Sequence, residues 1–327
     1  MKYTTRLKKS KQLIRMVRPF DLSPSDFIYP IFVREDGKTT SIPSVEGERY
    51  YSLKDCIEAG KKAIELGIPS VMVFSILKKR NVNGSVALRK DNFDIKVFKR
   101  LDDEFGDKLV VISNICLCTY TTNEICVYSK DGKVLNEETA EMLGKISVAH
   151  AEAGADVVAP SAMIDGQVRH IREALDKRGL DDVPIMSYVK SDSLLFKPYF
   201  QAISTSKKPR AGIDSSKFRT DPINEGMFLQ KISLDIEEGA DMVIIKPAIT
   251  NLDIIRLTAE TFPETPIAAY QVSGEYAMIK SLSQRYSIEE NDLLFEMLYS
   301  IKRAGANTVL TYYARQIASF LKSPRLY

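Results

Sequence analysis

The sequence predicts an α/β fold: a single (β/α)8 barrel of the TIM type with an N-terminal arm. Three observations point there. Eight short β-rich runs recur along the 327 residues, nearly all of them continuously apolar, as parallel strands covered on both faces must be. The joints leading from helix into strand repeat as ELGIPSVMV, EAGADVVAP, EEGADMVII and RAGANTVLT. In each, a glycine ends an amphipathic helix where the backbone must turn left-handed, and a buried strand follows. An open doubly wound sheet should carry a G-x-G-x-x-G turn after an early strand, and the chain has none. A joint repeated in register with eight strands favours closure into a barrel.

The strands are expected at 27–33 (FIYPIFV), 70–75 (SVMVFS), 109–115 (LVVISNI), 156–161 (DVVAPS), 184–189 (PIMSYV), 242–247 (MVIIKP), 266–271 (PIAAYQ) and 307–312 (NTVLTY). Helical periodicity fills the gaps, most clearly in SLKDCIEAGKKAIELG and EETAEMLGKISVAHAEAG. Length alone allows two domains or one large barrel; the repeated joints place 21–327 in one barrel. Residues 1–20 read as a basic arm, because MKYTTRLKKSKQLIRMVR holds seven basic residues and no acid. Such a segment lies on the body or on a neighbouring subunit; a mitochondrial-type presequence is the alternative.

Composition narrows the function classes. Lysine and arginine number 46 against 43 acids, so the overall balance gives no case for nucleic acid or membrane. No apolar run approaches the roughly 18 residues of a membrane span. Four cysteines, three of them clustered, do not make a secreted disulfide framework, and a reducing, cytoplasmic setting is expected. The two histidines, His150 and His170, are too few for a His-rich metal site and argue against a Ser-His-Asp triad.

Chemistry in such barrels gathers at the C-terminal ends of the strands. Past the third run come Cys116 and Cys118, and past the fourth Ser161 and then Asp165. Lys190 follows the fifth, Lys246 ends the sixth, Ser273 follows the seventh and Tyr312 ends the eighth. Lys190 and Lys246, on consecutive strands, should lie close together. Taken singly, either could snorkel to solvent. As a pair, mutual repulsion and desolvation favour neutral amines, the nucleophiles that form Schiff bases with a ketone or aldehyde. Cys116, Cys118 and Cys126, spaced C-x-C-x7-C, suit a zinc ion with an open fourth position. Core packing or a redox pair are the other readings of that spacing. Cys56, inside the first barrel helix, reads as a buried core residue.

With these residues in place, the chain resembles the porphobilinogen synthase (5-aminolaevulinate dehydratase) family. The likeness runs from RMVRPFDLSPSDFIYPIFV to TYYARQIASFL and is most specific in CLCTYTTNEIC, VAPSAMIDGQV, GADMVIIKPAITNLDIIR, AAYQVSGEYAMIK and SIKRAGA. The resemblance implies a homo-octamer joined through N-terminal arms, and condensation of two 5-aminolaevulinate molecules to porphobilinogen with loss of two waters, in tetrapyrrole synthesis. It implies that Lys246 and Lys190 each form a Schiff base with one substrate. Ser273 and Tyr312 would hold the carboxylate of the molecule on Lys246. Cys116, Cys118 and Cys126 match the zinc form of the site, whose metal acts as a Lewis acid on the second substrate; an additional Mg2+ is within the family's range.

The departures from the family pattern gather on the second-substrate side. Phe200 and Ser215 stand where the family has arginines, Arg219 replaces a glutamine, and Asn114 and Ala162 replace aspartates. Each lost charged hydrogen bond is worth about 1.5–3 kcal/mol. Replacement cations are at hand in Lys197, Lys207, Lys208, Arg210, Lys217 and Arg219, and Arg219 and Ser161 are expected to bind substrate. Two other readings stay open. One is an enzyme that holds 5-aminolaevulinate at Lys246 but takes a different second substrate; the other is a weakly catalytic zinc-binding paralogue.

Overall fold

The structure, a computed structural model, describes residues 3–43, 45–196 and 213–322. Eight parallel strands form its centre: β1 (Phe27–Arg34), β2 (Ser70–Ile76), β3 (Val110–Ile115), β4 (Val157–Pro160), β5 (Met186–Lys190), β6 (Met242–Lys246), β7 (Ile267–Gln271) and β8 (Thr308–Thr311). Pairing runs β4–β3–β2–β1–β8–β7–β6–β5. The ring closes through a parallel bridge between Val158 and Ile185, with Val158 N–H donating to the Pro184 carbonyl at 3.1 Å. All eight expected strands are present. Their ends shift by one to two residues: β5 reaches Lys190, and β8 stops at Thr311, leaving Tyr312 as the first residue beyond it. Pairing explains the first shift, since the carbonyls of Lys190 and Lys246 both accept backbone bonds, from Thr220 and Ser191 at 3.2 Å each.

The helices around this ring begin with α1 (Lys11–Met16), α2 (Leu53–Leu66), α3 (Phe93–Phe105), α4 (Asn136–Ala151) and α5 (Gln167–Asp176). They continue with α6 (Glu225–Glu237), α7 (Leu252–Thr261), α8 (Ser273–Tyr286), α9 (Glu290–Ala304) and α10 (Ala314–Leu321). Helix α2 shows the local logic. Ser52 caps it by accepting from Asp55 N–H, Cys56, Ile57, Ala59, Ala63 and Leu66 turn inward, and Gly67 ends it at φ 80°. Burying each such Ile or Leu side chain contributes ~1.5–3 kcal/mol. The repeated joint behaves as its sequence requires: Gly154 has φ 100°, and a Cβ there would lie 2.4 Å from that of Asp102.

Even-numbered residues of every strand but β4 face the barrel interior and odd ones face the helices; in β4 the register pairs Val158 with Ser113 and Ala159 with Asn114, so the odd residues face inward. Tyr188 of β5 donates to the Met72 sulfur of β2 at 3.0 Å, and these strands are not neighbours, so both side chains cross the interior. The core divides in two. The larger cluster fills the barrel and most of the helix layer. The smaller gathers Ile115, Leu117, Ile125, Val127, Leu143 and Val168 around the segment that carries the cysteines. Residues 3–20 bury no side chain; Phe20 and Arg18 touch the ring of Tyr299, at 6.1 and 5.7 Å.

Candidate active site

Strand β6 is apolar until its last residue, and its register makes Lys246 the direct partner of Lys190 at the end of β5. Both side chains are half-buried at the C-terminal rim. The Lys246 Nζ sits 4.6 Å from the ring centre of Tyr270, over its face, where the ring quadrupole attracts the amine in its charged form and fixes its position. The Lys190 Nζ donates to the carbonyl of Ser161, and Ser161 N–H donates to Ile115 at 2.9 Å. This short chain of bonds ties the β5 lysine to the strand that delivers Cys116.

Aromatic rings wall the Lys246 side. Phe32 stacks on Phe74 at 4.9 Å and lies parallel to Tyr312 at 6.1 Å. The Tyr312 and Tyr270 hydroxyls meet at 3.4 Å. Burial pushes the Tyr270 phenol up to about 12 and that of Tyr312 well above its usual range, so both remain neutral hydrogen-bonding groups. Ser273, 4% exposed, opens α8 beside them.

The cysteine segment comes together as its spacing suggests. The three sulfurs lie within 4.8 Å of one another, with Cys116 and Cys118 3.1 Å apart as free thiols. A hydrogen bond from Cys118 lowers the Cys116 pKa, but the bond to Cys126, burial and the nearby Cys126 charge outweigh it and push it up to about 11. Hydrogen bonds to Cys116 and Cys126, and burial, hold the Cys118 thiol well above its ordinary value. The donor set fits zinc. Zn–S bonds of about 2.3 Å put tetrahedral sulfurs about 3.8 Å apart, and three thiolates leave one position open. Among the described residues this is the one cluster of three or more ligating His, Cys, Asp or Glu side chains.

The profile of the family described as delta-aminolevulinic acid dehydratase matches residues 1–320. The delta-aminolevulinic acid dehydratase of Methanothermus sociabilis is 45% identical over 314 residues, covering 95% of this chain and 96% of its own. That of Bacillus subtilis is 40% identical over 319 residues, covering 97% of each. The chain belongs to this family. A solved member, the Toxoplasma gondii enzyme in complex with the reaction product porphobilinogen, superposes with a TM-score of 0.92. It is 30% identical, and the match covers 100% of this chain and 96% of the other. The family fold is therefore the barrel described above.

The residues expected on the second-substrate side lie on several segments. Arg219, on the segment after β5, pairs with Asp192, two residues past Lys190. Lys217 donates to the Gly132 carbonyl at 2.7 Å, at the tip of a hairpin beyond Cys126. Asn114 is half-buried on β3 opposite Ala159, and Ala162 is fully buried. Ser215 begins a short 3-10 turn, Ser215–Lys217. Phe200, Lys197, Lys207, Lys208 and Arg210 lie outside the described residues. Asp165 is exposed, in the loop between β4 and α5.

Glu275 escaped the sequence reading. It is fully buried and accepts from Ile249 N–H at 2.6 Å and from Val272 N–H. It thus ties the turn after Lys246 to the residue before Ser273. Burial raises its pKa to about 7, against the pull of the backbone N–H groups of Ile249, Val272 and Ala248 and of the Lys246 charge. An acid three residues into a helix reads as an ordinary cap, which is why the pattern alone conceals it. The hairpin past Cys126 did carry a signal, the Asp131-Gly132 pair, both left-handed.

Proposed function

We propose that the protein condenses two molecules of 5-aminolaevulinate into porphobilinogen, as a delta-aminolevulinic acid dehydratase. The observation that carries this is the register pairing of Lys190 with Lys246 beside the three-cysteine cluster. Lys246 adds to the ketone of one substrate, and Ser273 and Tyr312 hold that molecule's carboxylate. Lys190 adds to the ketone of the other, with Ser161 and Arg219 as its binding partners. Zinc held by Cys116, Cys118 and Cys126 supplies Lewis acidity at the second substrate. The aromatic wall of Phe32, Phe74, Tyr270 and Tyr312 keeps water from the Lys246 imine.

The basic segment 1–20 serves as an arm that grips a second copy in a homo-octamer, leaving 21–327 as the catalytic barrel. Among the described residues no helix is long and apolar enough to cross a membrane, and the working compartment is the cytoplasm.

Incubating the protein with 5-aminolaevulinate and zinc, and following pyrrole with a specific colour reagent, tests the proposal. Chelator-sensitive pyrrole formation is expected, and adding back zinc and Mg2+ separately identifies the metal. Borohydride trapping followed by peptide mass spectrometry should find adducts on both lysines. An adduct on Lys246 alone, with no pyrrole, replaces this reading with a different second substrate; no adduct on either lysine leaves a zinc-binding paralogue.

A further inference from the structure

Behind the cysteine segment, on the helix-facing side of β3, four polar side chains from four parts of the chain join in a line. Asp94 comes from the first turn of α3, Ser113 from β3, Tyr120 from just past Cys118, and His150 from the end of α4. None is more than 2% exposed. The Tyr120 hydroxyl donates to Asp94 Oδ2 at 2.7 Å and lies 3.0 Å from His150 Nε2. His150 Nδ1 lies 2.7 Å from Ser113 Oγ.

The protons in this line follow from its chemistry. A phenol has one proton, and Tyr120 gives it to the carboxylate, so its oxygen accepts from His150 Nε2–H. That leaves His150 Nδ1 bare, and the Ser113 hydroxyl donates to it. The imidazole is neutral, in keeping with a pKa lowered by burial. Burying such groups is costly unless each finds a partner, and a phenylalanine would fill the space of Tyr120 equally well.

What the line secures is the turn carrying two of the three thiols. Tyr120 N–H closes that turn on the Leu117 carbonyl at 2.9 Å, and Tyr120 C=O accepts from Asn81 N–H at 3.1 Å. Asn81 C=O accepts in turn from Thr122 N–H at 3.1 Å, and Arg80 pairs with Glu124 two residues before Cys126. The segment from Cys116 to Cys126 is thus held by the protein's own bonds, and the deepest of these anchors is the Tyr120 hydroxyl.

We propose that Tyr120 is a positioning residue of the metal centre, whose buried bonds to Asp94 and His150 hold Cys116 and Cys118 in place to meet Cys126. This rests on the reading of the three cysteines as zinc ligands. Groups that orient ligands from behind typically carry 10–100-fold in metal affinity, and a pre-ordered site avoids the cost of ordering its loop on binding.

The test is zinc affinity, measured by competition with a chromogenic chelator on the full-length protein. Tyr120→Phe should weaken zinc about 10–100-fold. Ser113→Ala removes a bond at the far end of the same line without touching the turn. It should lower thermal stability while leaving zinc affinity within about twofold. Equal losses of affinity in the two variants, or none in Tyr120→Phe, overturn the positioning role while the zinc reading stands. A wild-type protein that takes no zinc overturns both. If Tyr120→Phe does not fold, Asp94→Asn carries the test, since it keeps the side-chain volume and weakens the acceptor of the phenol. A loss of about threefold or more is then expected, and unchanged affinity overturns the proposal.

Discussion

The Lys246 amine lies over the face of Tyr270, 4.6 Å from the ring centre, while its register partner Lys190 turns the other way, to the Ser161 carbonyl. The two amines therefore sit side by side in the sheet with separate environments, one aromatic and one polar beside the thiols. Lys246→Ala should reduce pyrrole formation by about 10³-fold or more, and Lys246→Arg should fail as completely, because a guanidinium keeps charge but is no imine-forming nucleophile. Tyr270→Phe keeps the ring face and loses only the contact to Tyr312, so borohydride should still trap substrate on Lys246. Robust turnover by Lys246→Arg would remove the lysine from its proposed role.

Arg219 is spoken for, in this structure, by Asp192. If Arg219 leaves Asp192 to hold the second substrate's carboxylate, the two residues should act in opposite directions. Arg219→Ala should raise KM about 10- to 100-fold, the worth of one charged hydrogen bond. Asp192→Ala, by freeing the guanidinium, should lower KM or leave it unchanged. Equal damage from both would mean that the ion pair itself, and not the cation, is what the site needs.

The cysteine segment should keep its shape without metal, since backbone bonds to Asn81 and the buried phenol of Tyr120 hold it. Chelation should therefore abolish pyrrole formation and leave the far-ultraviolet circular dichroism unchanged. The melting temperature should fall with removal of the ion, following the RT ln(1 + [L]/Kd) of a ligand that binds only the folded state. Loss of helical signal on chelation would contradict a pre-ordered segment.

The barrel was readable in the chain because its determinants are local: apolar runs of strand length, and glycines such as Gly154 and Gly305 that only a left-handed joint requires. The pairing of Lys190 with Lys246 was readable because consecutive strands of a parallel barrel are neighbours. What escaped was set by burial and by contacts far apart in sequence. Nothing around Tyr120 in CLCTYTTN shows that its hydroxyl meets His150, 30 residues on. Nor does SGEY show that Glu275 is sealed from water and bound to Ile249, 26 residues back. Arg219 stood out as a cation near the site, but its partner Asp192 emerged only from the packing of two loops.

Glu275 supplies a test by pH. Its pKa is about 7 in the folded protein against an ordinary 4.5, chiefly because of burial. Below pH 4.5 both folded and unfolded chains hold the proton, and the buried group carries no ionisation penalty. Between about 4.5 and 7 the unfolded chain gives up its proton first, so the folded state binds more protons and stability falls as pH rises, by up to about 1.4 kcal/mol per pH unit. Above 7 the carboxylate is charged in both states and the loss is complete. Glu275→Gln cannot ionise and should lack this slope, although it also loses acceptor capacity toward Ile249 and Val272. Denaturant unfolding of both proteins at pH 5 and pH 7.5 isolates the effect. The stability of wild type relative to Glu275→Gln should be highest at pH 5 and fall by roughly 2–3 kcal/mol at pH 7.5. An advantage that stays constant, or grows with pH, would show that the folded protein holds Glu275 as a carboxylate throughout, with the three backbone donors and Lys246 outweighing its burial.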